Sequence, residues 1–127
     1  MLEKGMTLTL EKVVKENETA AKVASGGLEV FSTPMMIAFM ESTAFTLVEE
    51  KLSEEDTTVG VSLDVKHLRA NLPGDKLKCV AILENIDGKK LDFDVKVYFG
   101  DIVVGEGKHG RFIVNKEKFL SKLKKQN

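Results

Sequence analysis

The chain has no tryptophan, one cysteine, two prolines and two histidines among its 127 residues. A lone Cys79 excludes an internal disulfide and fits a reducing compartment, so the cytoplasm is the expected location. His67 and His109 have no Cys/His cluster around them, so no bound metal is expected. No apolar run is long enough to span a bilayer, and Met1-Leu2-Glu3-Lys4-Gly5 has nothing of a signal peptide. Charge of one sign is missing too. Nineteen Lys and Arg stand against twenty Asp and Glu, a net charge of −1, which makes neither nucleic acid nor a membrane an expected partner. There is no Gly-x-Ser-x-Gly elbow. Gly105-Glu106-Gly107 lacks the following helix that a nucleotide-binding glycine loop needs. No repeat or low-complexity tract divides the chain, and residues 1–127 read as a single domain.

What is present is one long helix among strands. Thr33-Pro34 reads as a helix start, with the threonine hydroxyl as cap and proline at the first position. From there to about Leu52 nothing breaks the pattern. Met36, Met40, Thr43, Ala44 and Leu47 share one narrow arc, with Ile37 and Val48 on its shoulder. Strands are expected at Met6 to Val14, Thr58 to Leu68, Lys76 to Ile86, Lys89 to Phe99 and Ile102 to Val114, with a short one at Thr19 to Ala24. Val59, Val61, Leu63 and Val65 take one face of their strand, opposite Thr58, Ser62 and Asp64. Asp87-Gly88 marks a hairpin, and Leu91, Phe93, Val95, Val97 and Phe99 alternate with polar neighbours. Lys116 to Lys125 is a basic tail helix, expected to be a solvated end. The fold class is α+β: a curved, mostly antiparallel sheet wrapped around one central helix. Such a sheet has open edges, and pairing two copies would protect them.

Three polar side chains sit where a purely structural pattern would not need them. Glu41 falls at the edge of the helix's apolar stripe, where partial desolvation favours work as base or nucleophile, although a surface glutamate covering the core has the same pattern. His67 keeps the apolar parity of its strand; it is a candidate acid or base, although a strand-end histidine bonded to a carbonyl has the same pattern. Thr33 is first a helix cap, at a helix end able to stabilise negative charge. Asp92 and Asp94 lie on a wet strand face and read as solubility. Cys79 reads as a small buried hydrophobe.

Taken together, Val30-Phe31-Ser32-Thr33-Pro34-Met35-Met36, Glu41, Val59-Gly60, His67 and Gly105-Glu106-Gly107-Lys108-His109-Gly110-Arg111 resemble the hotdog-fold thioesterases of the fluoroacetyl-CoA thioesterase type. The resemblance runs from Gly5 to about Phe119. It implies a hotdog fold, a homodimer with larger assemblies left open, and hydrolysis of an acyl-CoA thioester to acid and free CoA. No cofactor is implied, CoA being part of the substrate. Thr33, Glu41 and His67 match the family's catalytic positions. Gly60 matches a pocket glycine, and Phe31, Met36 and Arg111 are expected to contribute to substrate binding. Either Glu41 attacks the acyl carbon or it activates water. His67 would assist proton transfer, and Thr33 would position the reacting groups. His109 and Arg111 are structural or interface residues first, with phosphate contact by Arg111 as a lesser role. The aromatic-bearing lid that marks the fluoroacetate-specific type is replaced here by Ala24-Ser25-Gly26-Gly27-Leu28-Glu29, which gives no support for selecting a fluorinated acyl group, so the chain resembles a general relative of that type. An acyl-CoA-binding protein without catalysis and a hotdog dehydratase or hydratase remain the alternative readings.

Overall fold

The computed structural model describes residues 1–126. Its elements are β1 (Thr7–Val13), a 3-10 turn (Glu16–Glu18), α1 (Thr33–Glu49), β2 (Asp56–His67), β3 (Lys76–Asp87), β4 (Lys90–Phe99), β5 (Ile102–Asn115) and α2 (Lys116–Gln126). The five strands form one sheet in the order β1-β3-β4-β5-β2, every neighbouring pair antiparallel. Both edge strands, β1 and β2, touch α1, as do β3 and β4 between them. A sheet can meet one helix with both edges only by curving around it, so the architecture is the hotdog arrangement. No helix among the described residues is long and apolar enough to cross a membrane.

The helix buries the stripe its spacing marks: Met36, Phe39, Met40, Thr43, Ala44, Leu47 and Val48. The Thr43 hydroxyl donates to the Phe39 carbonyl at 2.8 Å, so it enters the core satisfied. Opposite lie Leu77, Cys79, Ala81 and Leu83 of β3 and Leu91, Phe93, Val95 and Val97 of β4, all buried. Each larger one stabilises the fold by about 1.5–3 kcal/mol relative to exposure. Burial pushes the Cys79 thiol up to about 11, with a hydrogen bond to Thr43 acting weakly against it; the group is a small core hydrophobe. The β3–β4 hairpin closes between Asp87 and Lys90, with Gly88 at φ +60° supplying the left-handed turn.

Several local expectations are corrected. Ser32, not Thr33, is the helix cap: its side chain accepts from the Met35 N–H, because Thr33 already has helical geometry and Pro34 offers no N–H. Thr19 to Ala24 is not a strand. Ala20 N–H and Ala21 N–H bond to the Val30 and Leu28 carbonyls, folding the segment into turns with a single bridge, Thr19 to Phe31. Val13 faces out and Val14 takes the buried position. In β2 the register shifts between Gly60 and Ser62, and this bulge breaks the expected parity. Val61 and Leu63 are exposed, whereas Thr58 is buried. Phe99 is also partly exposed, at the end of its strand. The tail helix α2 buries no side chain.

Two glycines of β5 let layers approach closely. A Cβ on Gly105 would collide with Met36 Sδ and lie 3.0 Å from Met36 Cε; one on Gly107 would collide with the Asp64 carbonyl and come 2.5 Å from Val65 Cα. Backbone yields less readily than a thioether. Gly107→Ala should therefore lower stability by about 1–3 kcal/mol in a urea titration. Gly27→Ala, with open space and ordinary φ, should stay within about 0.5 kcal/mol of the parent; equal effects would remove this account of β5.

Candidate active site

Thr33 and His67 meet at one end of the helix. The Thr33 hydroxyl lies 2.8 Å from His67 Nδ1. With capping left to Ser32, that hydroxyl is free to engage the ring. His67 is the last residue of β2, and the edge of its ring meets Phe31, centroids 6.4 Å apart at 82°. Burial lowers the His67 pKa below its ordinary 6.5, with the Arg69 backbone acting against it. The ring is thus held neutral near pH 7, and its Nε2 is enclosed without a hydrogen bond of normal geometry. A groove of about 260 Å³, lined by Phe31, Thr33, His67, Leu68 and Arg69 among others, opens beside this pair. Phe31 itself is buried, so it forms the groove's floor. Met36 does not line the groove. It is fully buried beneath Gly105 and belongs to the core, because Gly105 has no side chain to hold it off.

The loop before α1 is tied down by a buried carboxylate. Glu18 is paired with Lys12 and accepts from the Lys15 N–H at 2.9 Å. The Ser32 N–H bonds to the Glu18 carbonyl at 3.0 Å, so the same residue sets the entrance to the helix. Lys12 Nζ also stands 5.6 Å above the Phe31 ring.

Glu41 belongs to a second cluster. It lies eight residues along α1 from Thr33, which at about 1.5 Å per residue is an axial separation of roughly 12 Å. Within one chain, then, Thr33 and His67 are brought together and Glu41 is not. Its Oε2 would be only 2.7 Å from a Cβ on Gly60, so that strand position admits no side chain without displacing the carboxylate. Arg111 Nη1 stands 3.9 Å from the same oxygen. The glutamate side chain keeps 39% of its surface exposed.

Arg111 is buried, and each of its three nitrogens has a partner. Nε donates to Thr58 Oγ1 at 2.8 Å, Nη2 to the Thr58 carbonyl at 3.0 Å, and Nη1 to His109 Nε2 at 3.1 Å. The guanidinium lies 5.6 Å over the Phe45 ring. His109 Nδ1 is 2.8 Å from the Ser62 carbonyl. A carbonyl only accepts and a guanidinium only donates. His109 must therefore be neutral, with its proton on Nδ1. Burial lowers its pKa and the Arg111 cation adds to this, against the Ser62 carbonyl. The ring also stacks on Phe93, centroids 6.1 Å apart. Burial lowers the Arg111 pKa as well, opposed by Glu41 and Glu49.

Thr58, Ser62 and His109 thus hold Arg111 facing Glu41. The strand parity read from the sequence put Thr58 and Ser62 on the wet face; the bulge turns Thr58 inward, whereas Ser62 stays exposed and serves through its backbone carbonyl. Among the described residues no group of three or more His, Cys, Asp or Glu gathers into a cation site.

Chemically, one cluster offers a hydroxyl bonded to a neutral imidazole at a helix N-terminus. The other offers a carboxylate steered by a fixed cation. Such parts suit attack on an acyl carbon, proton transfer and support of a developing oxyanion.

The model of the fluoroacetyl-CoA-specific thioesterase family matches residues 14–117. The fluoroacetyl-CoA thioesterase of Streptantibioticus cattleyicolor is 29% identical over 98 residues, which are 77% of this chain and 70% of that protein. Among solved structures, a fluoroacetyl-CoA thioesterase superposes with a TM-score of 0.93 at 25% identity, covering 100% of this chain and 98% of that one. A mutant of that enzyme with fluoroacetate and CoA bound gives 0.88 at 26% identity, over 93% and 99%. A thioesterase superfamily member from Thermus thermophilus shares the fold, with a TM-score of 0.89 at 24% identity over 98% and 92%.

The two histidines set a pH dependence of stability. Unfolded, each ring takes up its proton near 6.5; folded, both do so at lower pH. Between those values the unfolded chain binds more protons. Stability present above about pH 6.5 is therefore lost as pH falls through the folded pKa values. The urea midpoint should be lower at about pH 5.5 than at about pH 7.5, and His109→Gln should shrink that drop. An undiminished drop in the variant would exclude His109 as a source.

Proposed function

The chain belongs to the fluoroacetyl-CoA-specific thioesterase family, and from that premise we propose a mechanism in which Thr33, His67 and Glu41 hydrolyse an acyl-CoA thioester. The activity is that of an acyl-CoA thioesterase, a thioester hydrolase releasing free acid and CoA. The observation that carries the mechanism is the Thr33–His67 hydrogen bond of 2.8 Å at the N-terminus of α1. There, a hydroxyl, an imidazole and the positive end of a helix dipole converge where an oxyanion would form.

In this reading Glu41 supplies the carboxylate, either attacking the acyl carbon directly or taking a proton from the attacking water. In the second route the water oxygen bonds to the acyl carbon as its proton passes to Glu41. The C–S bond then breaks, and the departing sulfur receives a proton with His67 assisting. Thr33 holds the imidazole and the thioester in register, and Gly60 leaves room for the thioester beside the carboxylate. Arg111 orients Glu41 as a positioning residue. The chemistry is carried by side chains alone, without metal or cofactor.

Glu41 and Thr33 are roughly 12 Å apart along their own helix, which favours a site completed by a second copy. β2 is an edge strand whose exposed middle carries Val61 and Leu63, 53% and 38% exposed. Antiparallel pairing of two such strands about that middle would bury both side chains. It would also carry Gly60 and Glu41 of one copy towards His67 and Thr33 of the other. We therefore read the working enzyme as a homodimer, and the buried, unpaired Cys79 fits a cytoplasmic one. The lid segment 24–29 has no aromatic residue, so the acyl group is read as other than specifically fluorinated.

Chromatographic detection of free CoA and acid from a panel of short, branched, aromatic and long acyl-CoAs tests the reading directly. Glu41→Gln should fold normally and lower kcat by about 10²–10⁴-fold. Undiminished turnover would sink the mechanism. Mixing the inactive Glu41→Gln and His67→Ala proteins should restore activity if one site draws on two copies, and should not if each copy works alone.

A further inference from the structure

Past His67 the groove beside Thr33 does not end. Val30, Arg69 and Ala70 line both it and a second groove of about 280 Å³. The second groove continues over Leu72, Phe99 and Ile102, all substantially exposed. Arg69 thus stands on the shared wall. Its backbone N–H is used by the Val104 carbonyl, while its guanidinium enters none of the ion pairs or hydrogen bonds among the described residues. A cation without a partner, between two apolar grooves, is a place for an anion.

The second groove holds one more unanswered group. Asn71 is 4% exposed and lines it. Its Nδ2 donates to Asp75 Oδ2 at 3.1 Å, and because a carboxylate only accepts, the amide orientation is settled. The same carboxylate oxygen takes the Leu72 N–H at 3.0 Å, so Asp75 is occupied within its own turn. Asn71 Oδ1 is left buried with no hydrogen-bond partner. A buried acceptor left unmet is destabilising, and a donor reaching it from the groove would meet that need.

From this arrangement we infer that the groove beyond Arg69 is the subsite for the nucleotide end of the CoA ester. Arg69 takes a phosphate, the apolar wall at Phe99 and Ile102 takes the adenine, and Asn71 Oδ1 accepts from its exocyclic amine. Adenine is a flat heterocycle with an apolar face and one amino donor, and in CoA it is joined to phosphates that need a cation before the pantetheine arm begins. The order along the wall, donor-seeking Asn71, then Arg69, then Thr33 and His67, matches the order of adenine, phosphate and thioester along the molecule. This assignment rests on the acyl-CoA reading above.

The test uses adenosine 3′,5′-bisphosphate, which has the base and phosphates and no thioester, titrated calorimetrically into the whole protein. The parent should bind it. Arg69→Gln, an exposed change with little bearing on folding, should weaken binding about tenfold, the loss of one charge-assisted contact. Phe99→Ala should weaken it as well. In steady-state hydrolysis, Arg69→Gln should raise KM for an acyl-CoA at least several-fold more than KM for the matching acyl-pantetheine. No binding by the parent, equal binding by Arg69→Gln, or equal KM changes for the two substrates would each overturn the assignment. A parent that binds the bisphosphate through Arg69 yet cleaves no thioester would support the subsite while refuting the thioesterase mechanism.

Discussion

A guanidinium buried in a small domain must be met on every side, and much of this structure follows from how Arg111 is met. Its cost of burial falls only if each donor finds an acceptor. Thr58 provides two, a hydroxyl and a carbonyl, and His109 provides a third. Thr58 can turn inward because β2 carries a bulge, and His109 can serve as acceptor because the Ser62 carbonyl holds its proton on the other nitrogen. What remains of the cation's field points at Glu41. A requirement of burial thereby becomes an orientation of the carboxylate.

Glycine is the counterpart of that cation. At Gly60 the strand backbone closes on Glu41, at Gly105 on Met36, and at Gly107 on the β2 backbone. Each permits an approach that a methyl group would prevent. The helix can then lie deep in the sheet with a charged residue on its flank, instead of standing off at the distance ordinary side chains impose.

The helix, the β3–β4 hairpin and the dry face of Leu91 to Val97 were legible in the sequence, since each is a local periodicity with a local turn signal. The closeness of Thr33 to His67 was visible only through the family pattern: 34 residues separate them, and no spacing rule joins a helix start to a strand end. The bulge at Val61 was not legible. A strand read as strict alternation predicts Val59, Val61, Leu63 and Val65 on one face, and one extra residue undoes that for half of them. The inward turn of Thr58 was lost with it, and the use of the Ser62 backbone carbonyl has no side-chain signal at all. The distance between Glu41 and Thr33 could be computed from helix geometry alone, yet its meaning, two clusters rather than one, depends on seeing which strand positions each one meets.

The division of labour at the helix start has a consequence for how this chain can vary. Ser32 holds the helix end and Thr33 holds the imidazole, two duties on adjacent residues that a single capping threonine would have combined. Had one residue carried both, any change in its chemistry would have been taxed by unfolding. As arranged, position 33 can exchange hydroxyl for thiol or methyl while the helix keeps its beginning. Natural drift or a designer can therefore explore the reactive group there with abundance held constant, and the cost of each trial falls on rate alone.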